Sequence, residues 1–302
     1  MTLLGSIDWH EVYAGGEFMV VNIRLLVLLL AGICLCSCNH LFYQPTKDHF
    51  VEREKIPLLV ENVKINSTDG VVLNAWIWTK TMDPKGVLIQ FHGNAENMTT
   101  HGFSVAWLAN FNYAVVTFDY RGYGKSTGEP TRSGLVDDGK AVLDFVGRHP
   151  VLGKLDSFVI GQSLGGAVVV PVIAEKQNYN TRALILESTF SSYREIVQNK
   201  LGSFWLTWPL QYPLSYLVTD DLSPIDYIQK VKLPVLVIHG TSDRIVPFEN
   251  IEPLLSKVQS SKELWKVEKG RHLETFVFKD YRKKLVKYLC ALRQINPCLD
   301  KL

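Results

Sequence analysis

Ser163 stands between glycines in Gly161-Gln162-Ser163-Leu164-Gly165-Gly166, directly after the apolar run Phe158-Val159-Ile160 and before Ala167-Val168-Val169-Val170. A serine flanked by glycines where a strand turns into a helix is how a hydrolase presents a nucleophile, because side chains at the glycine positions would clash in so tight a turn. A serine hydroxyl is a poor nucleophile alone and needs a base. The base in turn needs a group that fixes its tautomer and offsets its charge. Two later segments carry those residue types. His239-Gly240-Thr241-Ser242-Asp243 follows the apolar run Val235-Leu236-Val237-Ile238, and Gly270-Arg271-His272 follows Leu264-Trp265-Lys266-Val267. The order Ser163, Asp243, His272 permits acyl transfer, with Ser163 attacking a carbonyl, His272 carrying its proton and Asp243 orienting His272. Glu187 also follows an apolar run, Ala183-Leu184-Ile185-Leu186, and is the alternative acid.

These side chains must be positioned by strands. Val60 to Ile65 and Val71 to Trp78 flank Ser67-Thr68-Asp69-Gly70, which is a hairpin signal. Short apolar runs then recur at 87–91, 113–118, 158–160, 183–186 and 235–238, each followed by a turn and a longer stretch. Val136, Val142, Leu143 and Val146 have helical spacing within one such stretch. Strands alternating with helices predict a parallel sheet covered on both faces, with its site at the carboxyl ends of the strands. The alternation breaks between Glu187 and Pro234, where Phe204, Trp205, Trp208, Tyr212 and Tyr216 cluster. A structureless loop of that length does not suit a compact domain, so residues 192–222 are expected to form a small helical cap over the site. Its aromatics are either plain packing or an apolar wall for an acyl chain. Pro171 should kink the helix that follows Ser163.

Six segments carry a resemblance: Phe91-His92-Gly93-Asn94-Ala95, Asp119-Tyr120-Arg121-Gly122-Tyr123-Gly124-Lys125-Ser126, Gly161 to Gly166, Glu187-Ser188-Thr189-Phe190, His239 to Asp243 and Gly270 to His272. In that order, from about residue 58 to 294, the chain resembles the α/β-hydrolase superfamily. More narrowly it is similar to the BEM46-type serine hydrolases, a group with exported bacterial members and mammalian ABHD-type relatives. The resemblance implies an α/β-hydrolase fold, a mostly parallel central sheet with helices on both faces and a small helical cap. It also implies Ser163 as nucleophile, His272 as base and Asp243, ahead of Glu187, as acid. The backbone N–H groups of Leu164 and Asn94 would form the oxyanion hole, and no metal or organic cofactor would be needed. Arg271 departs from the pattern, which commonly has a small residue before the histidine. His92 and His239 are read as strand-end hydrogen-bonders, Asp119 and Arg121 as loop braces through a salt bridge and turn, and His40, His49, His101 and His149 as surface or core residues.

The 302 residues are 47% hydrophobic and 21% charged, enough for a sizeable core, and the net charge of +2 comes without a basic cluster interleaved with aromatics. Nucleic acid is therefore not an expected partner. No C-x-x-C or zinc-ligand spacing is present. Val20 to Cys38 reads as an export signal: Arg24, the apolar run Leu25 to Ile33, then small residues and cysteines. The run is short of the roughly 20 residues that a membrane span needs. Leu35-Cys36-Ser37-Cys38 resembles the bacterial lipoprotein box, which would make Cys38 the lipidated first residue of the mature chain; an uncleaved signal anchor is the alternative. Residues 1–18 carry Asp8, Glu11 and Glu17, the wrong charge for the start of a signal, so translation is expected to begin at Met19. Asn39, where Asp would favour inner-membrane retention, favours the outer membrane. Cys290 and Cys298 are either a disulfide pair or two free thiols.

The expected organisation is a signal over 1–38, a tether over 39–57, a hydrolase domain over 58–294 with its cap at 192–222, and a tail over 295–302. The expected protein is exported and held at the periplasmic or cell-surface side of a membrane by its N-terminal lipid. It cleaves carboxylic ester or thioester bonds of small acyl or lipid-like substrates. A peptidase of the same fold and a non-catalytic binding lipoprotein are the alternatives, and the sequence leaves the oligomeric state open.

Overall fold

Eight strands lie side by side in the order β1-β2-β4-β3-β5-β6-β7-β8 in a computed structural model that describes residues 42–176 and 180–294. The chain divides into two units, 1–43 and 44–302. Of the first, only Phe42 and Tyr43 are described. The signal at 20–38, including Cys38, and residue Cys298 lie outside the described residues. Cys290 is disulfide-bonded.

The hairpin forms as its turn residues demand. β1 (Leu59–Asn66) and β2 (Val72–Thr79) pair antiparallel around a turn in which Asp69 takes a left-handed conformation, φ 57°. β2 also runs antiparallel to β4 (Tyr113–Phe118). From there the sheet is parallel through β3 (Gly86–Phe91), β5 (Ser157–Gln162), β6 (Thr181–Glu187), β7 (Val235–Gly240) and β8 (Lys262–Val267). Every residue of β3, β4, β5 and β7 is buried, which is why these strands read as unbroken apolar runs rather than alternating ones. β8 closes one edge, where Lys262, Glu263 and Lys266 face solvent and discourage pairing with another chain.

Among the longer helices, α1 (Arg132–Arg148) starts on Thr131, whose hydroxyl accepts the Gly134 N–H at 3.1 Å. It buries Leu135, Val136, Val142, Leu143 and Val146 on one face. α2 (Leu164–Glu175) is buried from Leu164 to Ile173 and carries Pro171 inside it. The helix continues through Pro171, whose missing N–H costs it one interior hydrogen bond. α3 (Tyr193–Gly202) and the short α4 (Gln211–Ser215) lie between β6 and β7, and α5 (Lys279–Leu292) follows β8.

Within the stretch expected as a tether, the residues from Gln44 onward are hydrogen-bonded to loops of the second unit. The Gln44 N–H donates to Asn94 Oδ1 (3.0 Å), the Phe50 N–H to Thr99 Oγ1 (3.1 Å), and Asn97 Nδ2 to the carbonyls of Thr46 and Asp48. Ile56 is buried in the core. The segment is polar because its partners are polar loop groups, so polarity here marks docking rather than solvation.

The parallel register aligns the carboxyl ends of the strands. Phe91 pairs with Gly161, Gln162 with Glu187, Glu187 with Ile238, and Gly240 with Val267. The segments that begin at His92, Ser163, Ser188, Thr241 and Glu268 therefore all leave the sheet at one edge.

Candidate active site

Ser163 joins β5 directly to α2 and is half-buried, with φ 52° and ψ −117°. A positive φ is costly for a residue with a Cβ, and surrounding structure must hold it. Three hydrogen bonds do so: the Ser163 N–H donates to the Glu187 carbonyl (2.9 Å), and the Ser163 carbonyl accepts the Gly166 N–H (3.0 Å) and the Thr189 hydroxyl (2.9 Å). The flanking glycine is a steric necessity. A Cβ on Gly165 would lie 2.0 Å from the Phe91 carbonyl oxygen, so the end of β3 and the first turn of α2 meet only because that side chain is absent.

Asp243 and His272 sit in the loops after β7 and β8. Asp243 Oδ2 lies 2.8 Å from His272 Nδ1, and Asp243 Oδ1 accepts the N–H groups of Ile245 (2.9 Å) and Val246 (3.0 Å). The loops are stitched together by Ser242 N–H to the Gly270 carbonyl (3.0 Å) and Lys269 N–H to Thr241 Oγ1 (2.9 Å). Donation from Nδ1 to the carboxylate leaves the lone pair on Nε2, the nitrogen that can take a proton. Burial pushes the Asp243 carboxyl up. The hydrogen bond and charge of His272, with the two backbone N–H groups, outweigh burial and hold it below the ordinary carboxylate value.

Ser163 reaches the same edge through the backbone. The Leu273 N–H donates to Ser188 Oγ (3.4 Å), and Ser188 follows Glu187, whose carbonyl accepts the Ser163 N–H. Ser188 and Leu273 both take positive φ, 50° and 58°, as Ser163 does. Ser163, Ser188 and Leu273 thus bring three strained backbone positions to the segments that follow β5, β6 and β8, and such strain persists only where the surrounding structure holds it. Among the described residues no hydrogen bond joins the Ser163 hydroxyl to His272. Such a bond is commonly long before substrate arrives.

The Leu164 N–H opens α2 beside Ser163. The second expected donor lies in a loop that passes close by: a Cβ on Gly93 would be 3.6 Å from Ser163 Cβ. His92 is buried, and its Nδ1 donates to the Gly93 carbonyl at 2.7 Å. Because the peptide is trans, this turns the Asn94 N–H away from His92. Asn94 Oδ1 accepts from Tyr123 Oη (2.7 Å) and the Gln44 N–H, which fixes the loop. Burial, reinforced by neighbouring His101, pushes the His92 imidazole down to about 3, so the ring is neutral at physiological pH.

His101, expected as a surface or core residue, packs beside the candidate site. Its ring stacks on His92 with centroids 5.4 Å apart, and its Cε1 would be 3.3 Å from a Cβ on Gly93. No motif spacing marked it. The only signal was its position on the short helical turn after Asn97. His239, expected as a strand-end hydrogen-bonder, is buried with Nε2 on the Val246 carbonyl (2.9 Å), and burial lowers its pKa.

Among the described residues no hydrogen bond joins Glu187 to His272, whose Nδ1 is taken by Asp243. Glu187 is fully buried, and its Oε2 accepts from Gln162 Nε2 at 2.6 Å, while Gln162 Oε1 accepts from Gln90 Nε2 at 2.6 Å. A polar ladder thus crosses β3, β5 and β6 under the candidate nucleophile. Asp119 and Arg121 do not pair with each other. Arg121 forms a buried salt bridge with Asp138 (2.9 Å), while Asp119 accepts the Met98 N–H (2.8 Å) and approaches His49 (3.6 Å). Gly124, at φ 45°, lies against Asp119 so closely that a Cβ would meet its carboxylate at 2.0 Å. Among the described residues no group of His, Cys, Asp and Glu could hold a metal ion.

Residues 82–225 match the family described as serine aminopeptidase S33. The chain is 31% identical over 287 residues to YfhR of Escherichia coli K12, covering 90% of this chain and 95% of that one. It is 33% identical over 216 residues to bem46 of Schizosaccharomyces pombe, covering 68% of each. A structure of the Pyrococcus furiosus esterase Pf2001 superimposes with a TM-score of 0.69 at 20% identity, over 83% of this chain and 97% of that one, a likeness of fold.

Proposed function

The chain belongs to the BEM46-type branch of the α/β-hydrolases, and from that premise we propose that it is a serine hydrolase cleaving ester or thioester bonds of acyl or lipid-like substrates. The observation that carries the reading is the 2.8 Å contact of Asp243 with His272 on the sheet edge where Ser163 occupies a strained turn.

Ser163 Oγ attacks the acyl carbonyl as His272 Nε2 takes its proton. Asp243 keeps the imidazole in the right tautomer and offsets the imidazolium charge. The oxyanion is stabilised by the N–H groups of Leu164 and Asn94, and losing one such donor typically raises the barrier by about 3 kcal/mol. Collapse expels the alcohol or thiol, which leaves with the proton from His272. Water, activated by the same imidazole, then releases the acid and restores Ser163. The proposal includes export and a lipid on Cys38.

A fluorophosphonate probe should label Ser163 and nothing else in the folded protein. Ser163→Ala should lose labelling and lower p-nitrophenyl ester turnover by roughly 10⁴-fold or more. Retained turnover in that variant refutes the assignment. The match to a serine aminopeptidase family favours amide cleavage as a second reading. Rates on aminoacyl p-nitroanilides and p-nitrophenyl esters measured on one preparation separate the two.

A further inference from the structure

The segment between β6 and β7 turns its large apolar side chains outward. Trp205 is 79% exposed, Tyr216 68%, Tyr212 63% and Trp208 60%, and Phe204 and Leu206 are more than half exposed as well. Neither packing nor a pocket wall describes side chains that face solvent, and single-chain soluble proteins seldom expose so continuous an apolar patch without a partner for it.

Charge separates this face from the base that carries it. From Leu201 to Thr219 there is no Asp, Glu, Lys, Arg or His. The charged groups gather where the segment joins the domain. The Ser192 and Ser223 hydroxyls donate to Asp220 (2.8 and 2.6 Å), the Arg194 N–H donates to it as well (3.0 Å), and Arg132 clamps the Thr219 carbonyl (2.8 Å) and Asp221 (2.9 Å). This clamp closes the two ends of the segment on each other; the crest beyond it contains no charged residue of its own, and the Arg194 guanidinium reaches up from the base to the Tyr216 ring (4.9 Å).

We propose that the crest at 204–217 docks onto a lipid bilayer, with its tryptophan and tyrosine rings at headgroup level. A protein partner would call for a polar and charged rim around an apolar centre. Nineteen uncharged residues rich in Trp, Tyr, Leu and Pro instead match the chemistry of the membrane–water interface, where an apolar ring with one polar edge is at home. The pieces are too short to cross a membrane: α3 has 10 residues and α4 has 5, and among the described residues no helix is long and apolar enough to span. They can only lie in the interface plane. The choice of a bilayer also rests on the proposed anchor, since a lipid on Cys38 would leave only about six residues, roughly 20 Å of extended chain, before Gln44. The segment that carries the crest leaves the carboxyl end of β6 close to Thr189, whose hydroxyl bonds the Ser163 carbonyl, so docking would bring the lipid surface to the side of the domain from which the candidate site opens.

The test uses the full chain on vesicles of phosphatidylcholine and phosphatidylglycerol, with and without brominated acyl chains. Bromine quenches tryptophan fluorescence only within the bilayer. Wild type is compared with Trp205→Phe/Trp208→Phe, a conservative change at exposed positions whose thermal midpoint is checked against wild type. Docking predicts that at least half of the quenchable emission disappears in the double variant. Equal quenching in the two proteins overturns the proposal, because an N-terminal anchor holds both on the vesicle regardless. A concentration-dependent dimer, with no quenching assignable to residues 205 and 208, also overturns it in favour of a second copy as occupant. Fluorophosphonate labelling of the same samples reports on Ser163 separately, so the hydrolase reading and the docking face can fail independently.

Discussion

The two oxygens of Asp243 have different partners: Oδ2 meets His272 Nδ1 at 2.8 Å, while Oδ1 is taken by the N–H groups of Ile245 and Val246. Orientation of the imidazole and closure of the loop are therefore separable. Asp243→Asn can keep Oδ1 on the two N–H groups and must then turn its NH₂ toward Nδ1. That forces the proton onto Nε2, where the imidazole can no longer accept from Ser163. Ester turnover should fall by roughly 10⁴-fold with a thermal midpoint close to wild type. Turnover within tenfold of wild type would remove Asp243 from the mechanism.

The approach of β3 to α2 across Gly165 makes a stability prediction. Gly165→Ala puts a Cβ 2.0 Å from the Phe91 carbonyl and 2.6 Å from that of His92, both backbone atoms that cannot move aside alone. Urea unfolding should show a loss of about 3 kcal/mol or more, at the upper end for overpacking. Gly70→Asn is the control. Its φ of 72° suits asparagine and nothing lies within 4 Å of the new Cβ, so a loss below about 1 kcal/mol is expected.

Steric demand explains which parts of the site could be read in advance. The glycines around Ser163 were legible because backbone contact at Gly165 admits no side chain. The strands were legible because burial on both faces leaves continuous apolar runs, and the loops at Asp243 and His272 followed from the strand ends. Partnerships between distant polar groups were not legible. The salt-bridge partner of Arg121 is Asp138 on α1, and His101 meets His92 through a fold of the chain that no spacing encodes. The aromatics at 204–216 were visible as composition, but composition does not say which way a ring faces.

Glu187 carries a pH prediction. Burial raises its carboxyl above the ordinary value of 4.5, against the opposing hydrogen bond from Gln162. A raised folded-state pKa means that, above 4.5, the unfolded chain gives up a proton that the native state keeps. Stability from the protonated form is full below that value and is lost as pH rises toward the folded pKa. Glu187→Gln has no such titration and keeps an oxygen for Gln162. Its stability relative to wild type should grow between pH 4 and pH 8 in urea unfolding. Parallel pH profiles for the two proteins would contradict a buried, disfavoured charge at this position.

His92 acts in the opposite direction. Burial takes its imidazole from 6.5 down to about 3, so as pH drops below 6.5 the unfolded chain binds a proton that the native ring refuses. Its contribution is complete above 6.5 and drains away toward pH 3, at most about 4–5 kcal/mol at 1.36 kcal/mol per pH unit. His92→Phe fills the ring position beside Tyr120 and His101 without titrating, though it gives up the bond to the Gly93 carbonyl. The variant should be less stable than wild type at pH 8 and lose less stability between pH 6.5 and pH 4, because the buried ring at position 92 no longer resists protonation. An acid limb as steep in the variant as in wild type would show that His92 is not the group that resists protonation.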